Sequence, residues 1–514
     1  MKHHAIPSVA LPLLLLASPA WCGSIKVVSA GAFTTNAARA EQGPLCAGTT
    51  AYPPAFTWAT GAATPSVPAA TSGTPKIEQY RGGALIATYT SFANQASCAY
   101  LGGGQDINTP ASAAASGCGP FTRSHGYRLA REGDQFLVYP AVYSGDANQP
   151  WFGPMWDSDA DYSAGIFHTP DNVTISGVVQ NNRRPVIMLT GSASYNTLGQ
   201  APVYFDTSTG MVLENLDISS AAGSWVGKAG VYIVGASNLT LRNMRVSHFE
   251  HTGGNGIFGA GGAGGFLLLD RVELDHNGGT SGPAHNAYIG ASTVDPNYSV
   301  TMINSWSHDA YYGHLFKSRA QINTFIGDYF EGGVPQPGKG QAEAYLVDIP
   351  NGGILTMRNS VLVKNAAGYQ ANGIGINFAS EGMTDARPQY ADIENNSFVS
   401  FARTFDGVNA NVPMGFFWPR LVPGDAAWPA NVSTRILKNA FVGFCTAPYR
   451  GDVAVTEAFS ELSHSFALTN KLSSDEAALA ASVANYAPVI GTSTYKHHTQ
   501  AGLPRRAATL GAMD

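Results

Sequence analysis

One short unit recurs through the middle of this chain: an apolar strand, an asparagine, one further residue, and another apolar position. It reads Leu-Glu-Asn215-Leu-Asp-Ile, Leu-Arg-Asn243-Met-Arg-Val, Met-Ile-Asn304-Ser-Trp, Gln-Ile-Asn323-Thr-Phe, Met-Arg-Asn359-Ser-Val, Glu-Asn-Asn396-Ser-Phe and Leu-Lys-Asn439-Ala-Phe. Short strands returning at intervals of roughly 20 to 45 residues describe a solenoid, in which each repeat buries its apolar face only against its neighbours. Helices are excluded over the same stretch, because β-branched and aromatic residues punctuated by Gly and Asn keep no 3.6-residue apolar face. The asparagines are expected at the corners, where side-chain amides satisfy turn backbone and stack in ladders.

The periodic part spans about residues 123–460, starting near Tyr127-Arg-Leu-Ala-Arg-Glu-Gly-Asp. Residues 21–122 are rich in Ala, Gly, Thr, Ser and Pro and read as an irregular, weakly β region, while residues 461–514 are expected to pack on the solenoid. One helix is expected at Ser474-Asp-Glu-Ala-Ala-Leu-Ala-Ala-Ser-Val, capped by Ser473 or Ser474. Residues 1–20 have the basic start, short apolar core and small residues of a Sec-type signal peptide, which implies a secreted or periplasmic protein. No later segment supplies the roughly 18 consecutive apolar residues of a membrane span.

Charged residues make up only 12% of the chain against 44% hydrophobic, with 58 Gly and 30 Pro, as suits a turn-rich exported β protein. The net charge is -6, and no basic cluster exists beyond Arg183-Arg184 and Arg505-Arg506, so nucleic acid is excluded as the main partner. Five cysteines, Cys22, Cys46, Cys98, Cys118 and Cys445, lie beyond the signal segment without any Cys-x-x-Cys spacing. Oxidation is expected in an exported chain, with Cys98 and Cys118 as a local bridge and Cys46 with Cys445 as a second pairing.

Two cations break the low charge of the repeats at His314-Leu-Phe-Lys-Ser-Arg-Ala. In a stacked parallel sheet, residues one coil apart become neighbours at about 4.8 Å. Aligning Ala287-Tyr-Ile-Gly, Phe316-Lys-Ser-Arg, Val347-Asp-Ile-Pro and Ile376-Asn-Phe-Ala places Tyr288, Lys317, Asp348 and Asn377 in one column, at spacings of 29, 31 and 29 residues. A parallel column holds His285, His314 and Tyr345, and Arg319 shares the face of Lys317 because side chains alternate along a strand.

Residues from about 125 onward resemble a bacterial right-handed parallel β-helix protein of the pectate-lyase-like superfamily. The resemblance rests on His285-Asn-Ala-Tyr-Ile-Gly, His308-Asp-Ala-Tyr-Tyr-Gly-His-Leu-Phe-Lys-Ser-Arg-Ala, Val347-Asp-Ile-Pro-Asn-Gly-Gly and Leu510-Gly-Ala-Met. Phe316-Lys-Ser-Arg-Ala-Gln-Ile-Asn-Thr-Phe is similar to the Lys-Ser strand of alginate lyases and chondroitinase B, which implies that Lys317 is a catalytic base. Those lyases carry a second arginine one coil later, where this chain has Tyr-Leu-Val-Asp348-Ile-Pro; Arg319 is the cation that replaces it.

The expected activity is therefore β-elimination on an acidic, uronic-acid-containing polysaccharide by a monomer. Lys317 is read as the base, with its pKa lowered by burial and by Arg319. Arg319 faces the substrate carboxylate, and Tyr288, His285 or His314 passes a proton to the leaving oxygen. Asp348, Asn377, Tyr345, Tyr311 and Glu343 complete the groove as substrate contacts, and Asp348 with Asn377 or Glu343 offers oxygen ligands for Ca2+. The plainer reading makes Lys317 and Asp348 a cross-coil salt bridge and the histidines hydrogen-bonded structural residues. Two other functions stay open: a glycoside hydrolase drawing on Asp309, Glu343, Asp348 and Glu381, and a non-catalytic carbohydrate-binding or adhesion solenoid with Trp306, Tyr311 and Tyr312 as its platform.

Overall fold

A computed structural model describes residues 69–92, 109–121, 129–146, 169–181 and 183–190, interrupted runs between 201 and 442, and residues 471–473. The signal segment, Glu343, the expected helix at Ser474 and, apart from residues 471–473, the C-terminal segment lie outside the described residues. The regular structure of the described residues is nearly all strand and forms a parallel β-helix.

One face of the coil is an eight-stranded parallel sheet. In chain order its strands are β1 (Val203–Asp206), β2 (Ala229–Val234), β3 (Asn255–Ala260), β4 (Ala287–Ile289), β5 (Phe316–Ser318), β6 (Tyr345–Ile349), β7 (Ile374–Phe378) and β8 (Phe417–Pro419). A larger sheet forms the remaining faces, its strands Leu239–Ser247, Gly265–Asp275, Asp295–Ile303 and Ala320–Ile326 again pairing in parallel, coil on coil. Alternation sends Ile257, Ile289, Phe316, Val347, Ile376 and Phe378 inward, where they meet Leu241, Leu269, Met302, Phe325 and Met357. Each of these side chains is at most 1% exposed, so truncating one, such as Phe325→Ala, costs about 3–5 kcal/mol.

The long strands bend at a left-handed residue. Asn215, Asn243, Asn304 and Asn359 take φ of 59°, 51°, 49° and 54°, and Asn243 Nδ2 donates to Asn215 Oδ1 of the preceding coil at 2.5 Å. Asparagine tolerates this conformation better than other side chains. Arg271 (φ 59°) and Gly327 (φ 71°) fill the same corner in the two coils where the motif lapses. Asn323 and Asn396 depart from the corner reading. Asn323 is buried inside a strand and donates to Ala320 O, and Asn396 belongs to a second ladder running through the interior. There Val272 N–H donates to Ser305 Oγ, Ser305 N–H to Asp328 Oδ1, Asp328 N–H to Ser360 Oγ, and Ser360 N–H to Asn396 Oδ1. Each side chain supplies the acceptor that a buried backbone N–H would otherwise lack.

Part of the N-terminal region is more regular than its composition suggests. Ile77–Arg81 and Ala84–Tyr89 form an antiparallel hairpin, and Ile77–Arg81 also pairs antiparallel with Gln135–Val138. Since Gln135–Val138 pairs in parallel with Thr174–Gly177, the hairpin covers a sheet edge that would otherwise template association. Buried Asp134 anchors it, accepting from Arg81 Nε and Nη2 at 2.8 Å and from Gln79 Nε2 at 2.7 Å. A one-and-a-half-turn helix, Pro110–Ala115, starts at a capping box on Thr109. Cys118 is disulfide-bonded, and its partner lies outside the described residues. Among the described residues no helix is long and apolar enough to cross a membrane.

Candidate functional site

The register of the eight-stranded sheet places Tyr204, Tyr232, Phe258, Tyr288, Lys317, Asp348 and Asn377 opposite one another in successive coils. The four aromatic rings form a strip, with centroids 4.9, 5.8 and 5.4 Å apart, that leads into the charged members of the column. Room for the cations comes from small residues. A Cβ on Gly290 would lie 2.6 Å from Arg319 Cβ, so its absence lets Arg319 lie across the coil before it.

Lys317 Nζ sits 3.1 Å from Asp348 Oδ2, 3.1 Å from Glu381 Oε1 and 5.4 Å from the centroid of the Tyr288 ring. Arg319 is fully engaged: Nε donates to the Tyr288 hydroxyl at 2.9 Å, Nη1 to Asn351 Oδ1 at 2.5 Å, and Nη2 meets Glu381 Oε2 at 2.6 Å. Glu381 thus bridges both cations. It stands on the turn after β7, where Ala379 is left-handed (φ 59°) and Glu381 N–H donates to Pro350 O of the coil before. Its side chain is 44% exposed, against 10% for Lys317 and 12% for Arg319.

Asp348 is enclosed by donors: Asn377 Nδ2 at 2.6 Å on Oδ1, and Lys317 Nζ and His314 Nε2 at 3.1 and 3.2 Å on Oδ2. Burial pushes its carboxyl above the usual carboxylate range, partly offset by Lys317 and Asn377. Burial alone would lower the Lys317 pKa, but Asp348 and Glu381 more than reverse it and the ammonium is favoured. The expectation of a lysine with a lowered pKa is therefore corrected, because it weighed Arg319 without the two carboxylates. Lys317 acts here as a fixed cation. Burial raises and the two cations lower Glu381, whose carboxyl ends below its usual range. The donors around Asp348 are N–H groups, and Asn377 turns its amide nitrogen toward it, so this set does not fit calcium. Glu343, the other oxygen ligand considered, lies outside the described residues.

The histidine column is a backbone ladder. Asn255 Oδ1 accepts from His285 N–H at 2.8 Å, His285 Nδ1 from His314 N–H at 2.8 Å, and His314 Nδ1 from Tyr345 N–H at 3.1 Å. The His285, His314 and Tyr345 rings stack at 4.6 and 4.7 Å, within 11° of parallel. Gly313 permits this, since a Cβ there would fall 1.8 Å from Ala284 O. With each Nδ1 occupied by a donor, a neutral ring carries its proton on Nε2. His314 spends that proton on Asp348. His285 is held neutral, its pKa well below the usual value through burial and the cations Lys317 and Arg319, and its buried Nε2 has no hydrogen-bond partner among the described residues. Both histidines are donors through Nε2, and neither has a free basic nitrogen.

Sequence reasoning placed Tyr288, Lys317, Arg319, Asp348, Asn377, His285, His314 and Tyr345 together, and the structure brings them together. It missed Asn351 and the bridging position of Glu381. Tyr311 stands apart: it is buried (7% exposed) with its ring edge-on to His276 at 5.9 Å, and Trp306 is buried (5%) against His308 at 3.4 Å. Neither is an exposed platform, whereas Tyr312 is partly exposed, as are Tyr232, Phe258 and Tyr288 in the aromatic strip. No protein-family model, curated protein or solved structure matches this chain.

Proposed function

We propose that the groove over β1–β7 belongs to an exported, monomeric polysaccharide lyase of the pectate-lyase-like kind, cleaving a uronic-acid polymer by β-elimination. The observation that carries this reading is the Glu381 carboxylate held between Lys317 Nζ and Arg319 Nη2, beside a tyrosine hydroxyl bonded to the same guanidinium. A carboxylate in that position is what a bound uronate would present. The parallel coil and the Lys-Ser strand support the resemblance, and the aromatic strip suits successive sugar rings.

In this mechanism the substrate carboxylate replaces Glu381 on the two cations, which stabilise the enolate that develops when C5–H is lost. Tyr288 is the proton-transfer group, replacing Lys317 in that role. Acting as phenolate, for which Arg319 Nε–H is the hydrogen-bond donor, its oxygen takes the C5 proton. The C4–O bond then breaks, a C4–C5 double bond forms, and the proton passes to the departing oxygen, so no water is consumed. His285 Nε2–H is a further donor on this side of the site.

The hydrolase reading is less well served, because Asp348 and Glu381 are both counter-ions of Lys317 and Asp309 binds His308. Non-catalytic binding is favoured by the aromatic strip alone. Incubating the protein with a panel of uronate polymers separates the three readings. A lyase creates ultraviolet absorbance from the new double bond, a hydrolase creates reducing ends without it, and a binder retards the polymer while creating neither.

A further inference from the structure

Away from the groove, two histidines occupy the same corner in consecutive coils. His248 follows Leu239–Ser247 and His276 follows Gly265–Asp275, with Ser247 and Asp275 in register. Both have left-handed backbone (φ 65° and 52°), which fixes where their side chains leave the chain. Their rings lie 5.0 Å apart and 32° from parallel. One ring nitrogen of His248, one of His276 and one carboxylate oxygen of Asp275 lie within 4.8 Å of one another.

Each ring is oriented by a carboxylate on Nδ1. His276 Nδ1 is 2.7 Å from Asp275 Oδ2, and His248 Nδ1 is 3.2 Å from Glu250 Oε1. A carboxylate on Nδ1 draws the ring proton to that nitrogen and leaves the Nε2 lone pair as a ligand, the arrangement that supports histidines in metal sites. Neither Nε2 has a hydrogen-bond partner among the described residues. The side chains are 41% and 26% exposed, so an ion reaches them from solvent. Asp275 is itself bound by Arg245 through both oxygens, at 2.7 and 2.6 Å, so it positions His276 and does not ligate. Four carboxylates, Glu250, Glu273, Asp275 and Asp309, surround the pair against Arg245 and His308, leaving the local charge negative even with His308 protonated.

We propose that His248 and His276 bind one borderline divalent transition ion, of the Zn2+, Ni2+ or Cu2+ class, through their Nε2 atoms, with Glu250 and Asp275 holding the rings. Two imidazole nitrogens select such ions over Ca2+ and Mg2+, which take oxygen ligands. The ion would clip two coils together at their corner. This site is independent of the lyase reading.

The test titrates the purified full-length protein with Zn2+ and Ni2+ by calorimetry and repeats thermal melts at each concentration. Binding at these histidines saturates at one ion per chain and raises the melting temperature with the logarithm of metal concentration, as for any ligand of the folded state alone. Ca2+ and Mg2+ leave the melt unchanged. Glu250→Gln weakens affinity about tenfold, the usual cost of losing a carboxylate behind a ligand. The double variant His248→Gln/His276→Gln loses the ion. Absence of saturable binding, or a double variant that binds as tightly as the parent, overturns the proposal. If the double variant does not fold, acylation of the parent's histidines by diethyl pyrocarbonate decides: metal shields His248 and His276 if they are the ligands, and their unchanged modification refutes the site.

Discussion

Lys317 Nζ and Glu381 Oε1 lie 3.1 Å apart across 64 residues of sequence, and only the glutamate is substantially exposed. The cation is therefore fixed and the counter-ion is the partner free to leave. Glu381→Gln is expected to tighten binding of a free uronate, measured by calorimetry, because the incoming carboxylate no longer competes with a resident one. Melting temperature should change little, as exposed ion pairs contribute about 0–1 kcal/mol. A variant that binds no better but loses turnover would make Glu381 a proton-transfer group instead.

Lys317→Ala removes the ammonium from a carboxylate that is only 1% exposed. The sequence alone suggests an outward side chain of little structural weight, whereas burial makes the loss costly. Breaking one partner of a buried pair costs about 3–5 kcal/mol, and His314 and Asn377 as remaining donors put this case at the lower end. Denaturant unfolding should show that loss, and Lys317→Ala/Asp348→Asn should recover part of it. Additive losses in the double variant would mean that the two groups are not coupled.

Tyr288→Phe keeps the ring in the aromatic strip and removes only the hydroxyl that accepts from Arg319 at 2.9 Å. Turnover should fall about a hundred- to ten-thousand-fold while polymer affinity is kept. Equal loss of both would reduce Tyr288 to a binding residue.

His308 provides a pH test of the fold. Burial opposes its charge, but hydrogen bonds to Asp309 and Glu273 prevail and raise its pKa to about 10. The group is protonated more readily when folded than when unfolded, where its pKa is about 6.5. Its contribution is thus fully present below about pH 6.5 and is lost as pH rises through about 10, at up to about 1.4 kcal/mol per pH unit. Melting temperature should fall between pH 7 and 10 more steeply for the parent than for His308→Gln. Parallel curves would show that His308 is neutral in the folded protein.

The column Tyr288–Lys317–Asp348–Asn377 was legible because a parallel coil turns sequence spacing into contact, and strand alternation decides which residues share a face. The corner asparagines were legible for a similar reason, their left-handed backbone having a residue preference. What escaped sits where neither rule reaches. Glu381 and Asn351 belong to turns, whose lengths vary from coil to coil. Asn323 and Asn396 share the motif of the corner residues, yet the coils shift against it and place them inside. Trp306 and Tyr311 read as exposed aromatics because a strand's outward face can still be covered by the next turn. The charge state of Lys317 required knowing that Glu381 arrives from a later coil.

The proposed elimination depends on a substrate carboxylate held by Lys317 and Arg319. The most direct measurement follows ultraviolet absorbance as the protein acts on a uronate polymer and on the same polymer with its carboxyl groups reduced to alcohols. Absorbance should rise on the native polymer and stay flat on the reduced one. Reducing ends without absorbance, or equal cleavage of both polymers, would contradict it.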